Sequence, residues 1–170
     1  MFEIGDIVLY GTQGIWEIDD ISTIDIHGVD KNRLYYILRQ KDTSGTIYVP
    51  VDGDNSKIKK MVSKKEAMEM ISQIPDIEPL KLSDEKKPES EYKEVLRGND
   101  CRELLSLIKC IYFRKMKRFE EGKKVTAVDE KYMKLAEGVL YQELGTVLDI
   151  SEDHVLDYIT NMIESIQCAD

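Results

Sequence analysis

Apolar and polar positions alternate in twos along the first part of the chain and recur at helical spacing along the rest, so the sequence predicts strands followed by helices. Ile7-Val8-Leu9-Tyr10, Ile15-Trp16-Glu17-Ile18, Tyr35-Tyr36-Ile37-Leu38 and Ile47-Tyr48-Val49-Pro50-Val51 are short runs rich in β-branched and aromatic residues. Gly11 and Gly14 bracket a tight connection that favours positive φ, and Asp42-Thr43-Ser44-Gly45 closes a second hairpin. The runs predict a small antiparallel barrel with Leu34, Tyr36, Leu38, Ile47, Val49 and Val51 inward and Tyr35, Arg39 and Tyr48 outward. Trp16 falls among the core positions. Pro50 cannot donate to a ladder, which puts its strand at an edge that can accept a partner's strand.

From Ser63 the period changes. Ser63 and Glu66 have capping-box spacing ahead of Ala67, Met68, Ile71 and Ile74, and Pro75 ends that short helix. Pro79, Pro88 and the charged run Asp84-Glu85-Lys86-Lys87 give residues 76–88 the composition of an exposed connector. This divides the chain into 1–75, barrel plus short helix; 76–88, linker; and 89–170, helices. The expected helices run from Glu89 to Arg97, from Asp100 to Glu121, where Gly122 terminates, from Thr126 towards Val147, and from Ser151 onward. On the long second helix Leu104, Leu107, Ile108, Ile111, Tyr112 and Phe119 share one side, opposite Arg102, Lys109 and Lys117. Phe113, four residues from Lys109 and Lys117, either packs under a neighbouring helix or stacks on a base.

The 170 residues carry a net charge of -9, which argues against a protein that coats DNA. Cations are nevertheless concentrated in one place: Arg114, Lys115, Lys117, Arg118, Lys123 and Lys124 put six into eleven residues. Such a cluster suits either a solvated helix end or a phosphate contact. Cys101, Cys110 and Cys168 form no CxxC pair, and only His27 and His154 offer imidazoles, so neither disulfides nor a metal site is expected. Asp52-Gly53-Asp54-Asn55 lacks the spacing of a calcium loop and reads as a turn. Catalytic motifs and cofactor-binding loops are missing, so no enzyme activity and no cofactor are expected. No apolar run approaches the ~20 residues of a membrane span, and acidic Glu3 and Asp6 do not suit an export signal, which makes the cytoplasm the expected compartment.

Phe2-Glu3-Ile4-Gly5-Asp6, Tyr10-Gly11, Gly14-Ile15 and Ile47-Tyr48-Val49-Pro50-Val51 together resemble the RNA-polymerase-interacting domain of bacterial CarD/CdnL transcription regulators, also carried by transcription-repair coupling factors. In the second half, Glu91-Tyr92-Lys93, Gly98-Asn99-Asp100, Asp129-Glu130 and Tyr141-Gln142-Glu143-Leu144 resemble landmarks of that family's helical domain. The resemblance implies an α+β protein: an SH3/Tudor-like antiparallel barrel followed by an all-α domain. It implies that the strand around Thr46, Ile47 and Tyr48 docks on the polymerase β subunit, with Tyr48 serving as an anchor or as a cross-strand partner of Tyr35. It further implies weak, sequence-tolerant contact with promoter DNA beside the melted region, modulating open-complex stability. Arg114, Lys115, Lys117, Arg118, Lys123 and Lys124 are the matching candidates. The family's wedge tryptophan has no counterpart here, and Tyr92 is the nearest aromatic. A polymerase- or protein-binding adaptor without DNA contact is the alternative expectation.

Overall fold

A computed structural model describes residues 1–40, 43–55 and 57–167. Lys41, Asp42, Ser56 and Cys168 therefore lie outside the described residues, Asp42 being the first of the four residues of the expected second hairpin turn. Among the described residues the fold is α+β, a five-stranded antiparallel sheet followed by five α-helices.

The strands are β1 (Ile7–Tyr10), β2 (Ile15–Ser22), β3 (Tyr35–Arg39), β4 (Thr46–Pro50) and β5 (Ile58–Lys60). Their spatial order is β4-β3-β2-β1-β5. The sheet is open, where a closed barrel was expected. The reason lies in β5, which pairs with β1 through only three residues and lies at the far rim from β4, so the first and last strands of the order do not meet. Alternation places Val8, Trp16, Ile18, Tyr36, Leu38, Val49 and Ile58 in one buried cluster, with Ile47 and Val51 packed against it. Trp16 is a core residue whose Nε1–H donates to Gln13 O at 3.2 Å. Gly11 and Gly14, between β1 and β2, both adopt the positive φ the turn requires, 51° and 89°.

Two facing assignments change. Leu34 lies just ahead of β3 and is 49% exposed, whereas Tyr35 is buried opposite Pro50. A bulge in β2 between Ile18 and Asp20 shifts the register on β3, a local irregularity that simple alternation does not anticipate.

The helices are α1 (Lys64–Ser72), α2 (Glu89–Gly98), α3 (Cys101–Glu120), α4 (Ala127–Leu148) and α5 (Glu152–Gln167), with a 3-10 turn at Ile74–Asp76. The capping box is formed: Glu66 N–H donates to Ser63 Oγ at 3.2 Å and Ser63 N–H to the Glu66 carboxylate at 2.7 Å. Compact units meet between Met61 and Val62, ahead of α1. Ala67, Met70 and Ile71 of α1 share a buried cluster with Tyr92, Leu104, Leu140 and Val155, so this helix belongs with the helical unit and not with the sheet.

Residues 76–88 likewise differ from an exposed connector over their first half. Ile77 is buried, Leu80 and Leu82 pack on the helical core, and Leu80 N–H donates to Ser106 O at 3.0 Å. Ser106 Oγ donates to Glu78 O at 2.6 Å. Prolines keep this stretch out of a helix, but its apolar side chains and the polar groups of α3 still hold it down. Lys109 is drawn into the same device: its ammonium donates to the carbonyls of Ile74, Pro75 and Ile77, where an ordinary helix end would leave orphan acceptors.

Candidate functional site

The rim of β4 is defined by its ladder. Val51 N–H donates to Leu34 O at 2.9 Å, which sets the alternation of inward and outward main-chain groups along β4. Counting back in twos, Val49 and Ile47 bond β3, while Thr46, Tyr48 and Pro50 direct their main chain to the open side. Pro50 has no N–H, and its carbonyl accepts from Gly53 N–H at 3.3 Å in the following turn. The rim therefore presents the N–H and C=O of Thr46 and Tyr48, unpaired among the described residues. Ile47 faces β3 with its main chain and the sheet core with its side chain, so of the three expected contact residues it is the one turned away. Tyr48 is 42% exposed and sits opposite Ile37, which rules out direct pairing with Tyr35. The other rim, β5, is three residues long and ends in Lys59-Lys60, features that discourage strand addition.

Basic residues gather at the far end of α3. Gly122, at φ 71°, reverses the chain there: Gly122 N–H donates to Phe119 O at 2.9 Å and Lys123 N–H to Arg118 O at 2.8 Å, a Schellman pattern. This fold-back brings Lys123 and Lys124 beside the last turn of α3. Lys123 is partly engaged by Glu121, 2.8 Å away, whose carboxyl it holds below the usual range. Arg118 Nε–H donates to Lys124 O at 2.7 Å, fixing the guanidinium at the reversal. Lys115 faces Glu137 electrostatically; burial raises the Glu137 carboxyl while Lys115 opposes that shift. Tyr112, Phe113, Met116 and Phe119 stand exposed among these cations, Phe119 by 77%. Tyr112 and Phe119 were expected on the buried side of α3, but the last buried residue of that side is Ile111 and both rings lie beyond it. Phe113 is 55% exposed, so it does not pack under a neighbouring helix of its unit.

Residues 2–62 match the family model of the CarD-like/TRCF RID domain, a span that ends where the sheet unit ends. The N-terminal unit is thus similar to the CarD-like/TRCF RID domain, a family of RNA-polymerase-interacting domains. The helical unit lies outside that match, and no curated protein matches the chain.

In the helical unit, two candidates for DNA contact lie inside the fold. Tyr92 is fully buried, and its hydroxyl donates to Asp129 Oδ1 at 2.9 Å. Desolvation, followed by that carboxylate, pushes the phenol far above its ordinary range. It cannot reach a groove without unfolding α2. Arg114 is only 20% exposed and directs Nε toward both oxygens of the buried Asp129, 3.3 Å from each. Asp129 therefore ties α2, α3 and α4 together, and Arg114 belongs to the frame beneath the cluster. Burial also raises the Cys110 thiol, which lies beside Arg114 and Asp129 electrostatically. Lys115, Lys117, Arg118, Lys123 and Lys124 remain as the surface cations.

Glu143, in the Glu-Leu landmark of α4, is a second buried carboxylate. It accepts from Val62 N–H at 2.8 Å and from Cys101 Sγ at 2.8 Å, joining the start of the helical unit to α3 and α4. The sequence signals for both carboxylates were position-specific: Asp129 sits three residues after the Thr126 cap, and Glu143 interrupts an apolar helix face. Among the described residues no helix is long and apolar enough to cross a membrane.

Proposed function

We propose that this chain is a CarD-like transcription regulator that docks on the RNA polymerase β subunit through the β4 rim of its RID domain. The observation that carries this reading is the pair of outward main-chain groups on Thr46 and Tyr48, bracketed by a proline and a turn. Strand addition draws affinity from main-chain hydrogen bonds and specificity from the neighbouring side chains, and exposed Tyr48 is suited to anchoring.

The helical unit then lays Lys115, Lys117, Arg118, Lys123 and Lys124 against promoter phosphates beside the melted region. Contact of this kind is weak and sequence-tolerant, which suits a chain of net charge -9 with one local basic surface. Tethering by the RID domain raises the local concentration of that surface, so a modest preference for opened promoter shifts the open-complex equilibrium.

Tyr48→Pro tests the docking. The Tyr48 N–H points away from β3, so proline removes a partner-facing donor without removing a ladder bond. Polymerase capture by the full chain should be lost while its helical signal and melting are retained; undiminished capture by the folded variant would reject the rim. For the DNA contact, replacing Lys115, Lys117 and Lys124 by alanine should shorten open-complex lifetime and leave polymerase capture intact. An unchanged lifetime favours an adaptor without DNA contact, the reading that the net charge and the burial of Tyr92 support.

A further inference from the structure

The end of α3 carries more than charge. Met116, Phe119 and Val125 line an open groove of about 770 Å³, with Lys115, Lys123 and Lys124 along its margin. Phosphate contact alone needs no such groove: duplex backbone binding uses cations and hydrogen-bond donors, and an apolar floor facing phosphates contributes nothing. Phe119, 77% exposed, and Met116, 40% exposed, lie side by side in that groove, and contiguous exposed apolar surface marks an interaction site. Cations supply the charge complement for an anionic partner, and the ring supplies a stacking face, the combination that proteins use for unpaired nucleotides.

We infer that this groove takes an unpaired nucleotide of single-stranded DNA, its base against Phe119 and Met116 and its flanking phosphates on Lys115 and Lys124. This rests on the reading that the helical unit contacts DNA, and it names the form of DNA that the surface prefers. The wall is rigid enough for the task, because the Schellman reversal at Gly122 fixes Lys123 and Lys124 relative to the last turn of α3. Phe113, on a neighbouring strip of the same helix and edge-to-face with Tyr112 at 5.7 Å, extends the aromatic surface for a second base.

Fluorescence anisotropy of the full chain with labelled oligothymidylate, and with duplex of equal length at equal salt, tests the inference. Wild type should bind the single strand more tightly, Phe119→Ala should weaken that binding about ten-fold and leave duplex binding unchanged. Phe119→Trp should restore it. Because Phe119 is exposed, these variants should fold as wild type does, which circular dichroism checks. Equal binding of single strand and duplex, both weakened only when Lys115 and Lys124 are replaced, would overturn the nucleotide groove while leaving phosphate contact standing. If neither nucleic acid binds and an acidic amphipathic peptide does, the groove assignment and the DNA contact beneath it both fail.

Discussion

Removing the Asp129 carboxylate should be among the most damaging single changes in the helical unit. In Asp129→Ala the Tyr92 hydroxyl keeps its buried position but loses its acceptor, and Arg114 keeps most of its burial but loses its counter-ion. Breaking a buried ion pair from one side costs ~3–5 kcal/mol, and an orphaned buried hydroxyl ~1–3 kcal/mol. Arg114 retains 20% exposure and can turn partly to water, so the lower ends apply and the combined loss is about 4 kcal/mol. The Thr126 cap should survive, because it receives the Asp129 main-chain N–H at 3.0 Å and not its side chain. Against a domain stability of ~5–15 kcal/mol, a loss of this size should lower the melting temperature by on the order of 15 °C. Urea denaturation followed by circular dichroism measures it, with Tyr92→Phe as the companion: that variant removes one hydrogen bond, leaves the ion pair intact and should cost only about 1 kcal/mol. If Asp129→Ala were no less stable than Tyr92→Phe, the carboxylate would not be holding three helices together.

Other substitutions test separate parts of the frame. Glu143→Ala orphans the Val62 N–H and takes one acceptor from the Cys101 thiol, and should cost ~1–3 kcal/mol in urea denaturation. Gly145→Ala would place a Cβ 2.9 Å from the Ile150 carbonyl oxygen, main chain that cannot simply rotate away, so a loss of ~1–3 kcal/mol and a weakened α4–α5 turn are expected from the same measurement. Alkali should act on Tyr132, whose pKa rises from its ordinary 10.0 to about 12 through burial and the bond to Glu89 at 2.9 Å. Since the folded pKa exceeds the unfolded one, this contribution is complete below pH 10 and disappears as pH climbs towards 12. Stability measured across that window should fall less steeply in Tyr132→Phe, and equal slopes would exclude the contribution.

Much of the architecture was legible because local rules and tertiary packing agreed. Ser63 and Glu66 capped α1, Gly122 ended α3, and the alternating residues of β2, β3 and β4 located most of the sheet core. The edge position of β4 was legible too, since Pro50 cannot donate to a ladder and suits a strand at an edge or near an end. Legibility failed where a residue's role depends on elements remote in sequence. No local pattern says that β5 returns to β1 and leaves the sheet open, or that Ile77, Leu80 and Leu82 hold a proline-rich stretch against α3. At the candidate DNA surface, the cations were visible as composition, but composition does not separate Arg114, committed to Asp129, from Lys117 three residues later. Tyr92 illustrates the limit most plainly: an aromatic beside charged residues suits a wedge or packing within the helical domain, and only the burial of the helix face carrying it decides for packing.

The brevity of the β4 rim also bears on how long any embrace with a partner lasts. Two residues can hold a visiting strand by four main-chain bonds at most, and the bend anchored by Gly53 halts further zippering in one direction. So short a seam cannot grow into a fibre, nor can it clasp indefinitely. It favours an association that forms and then lets go.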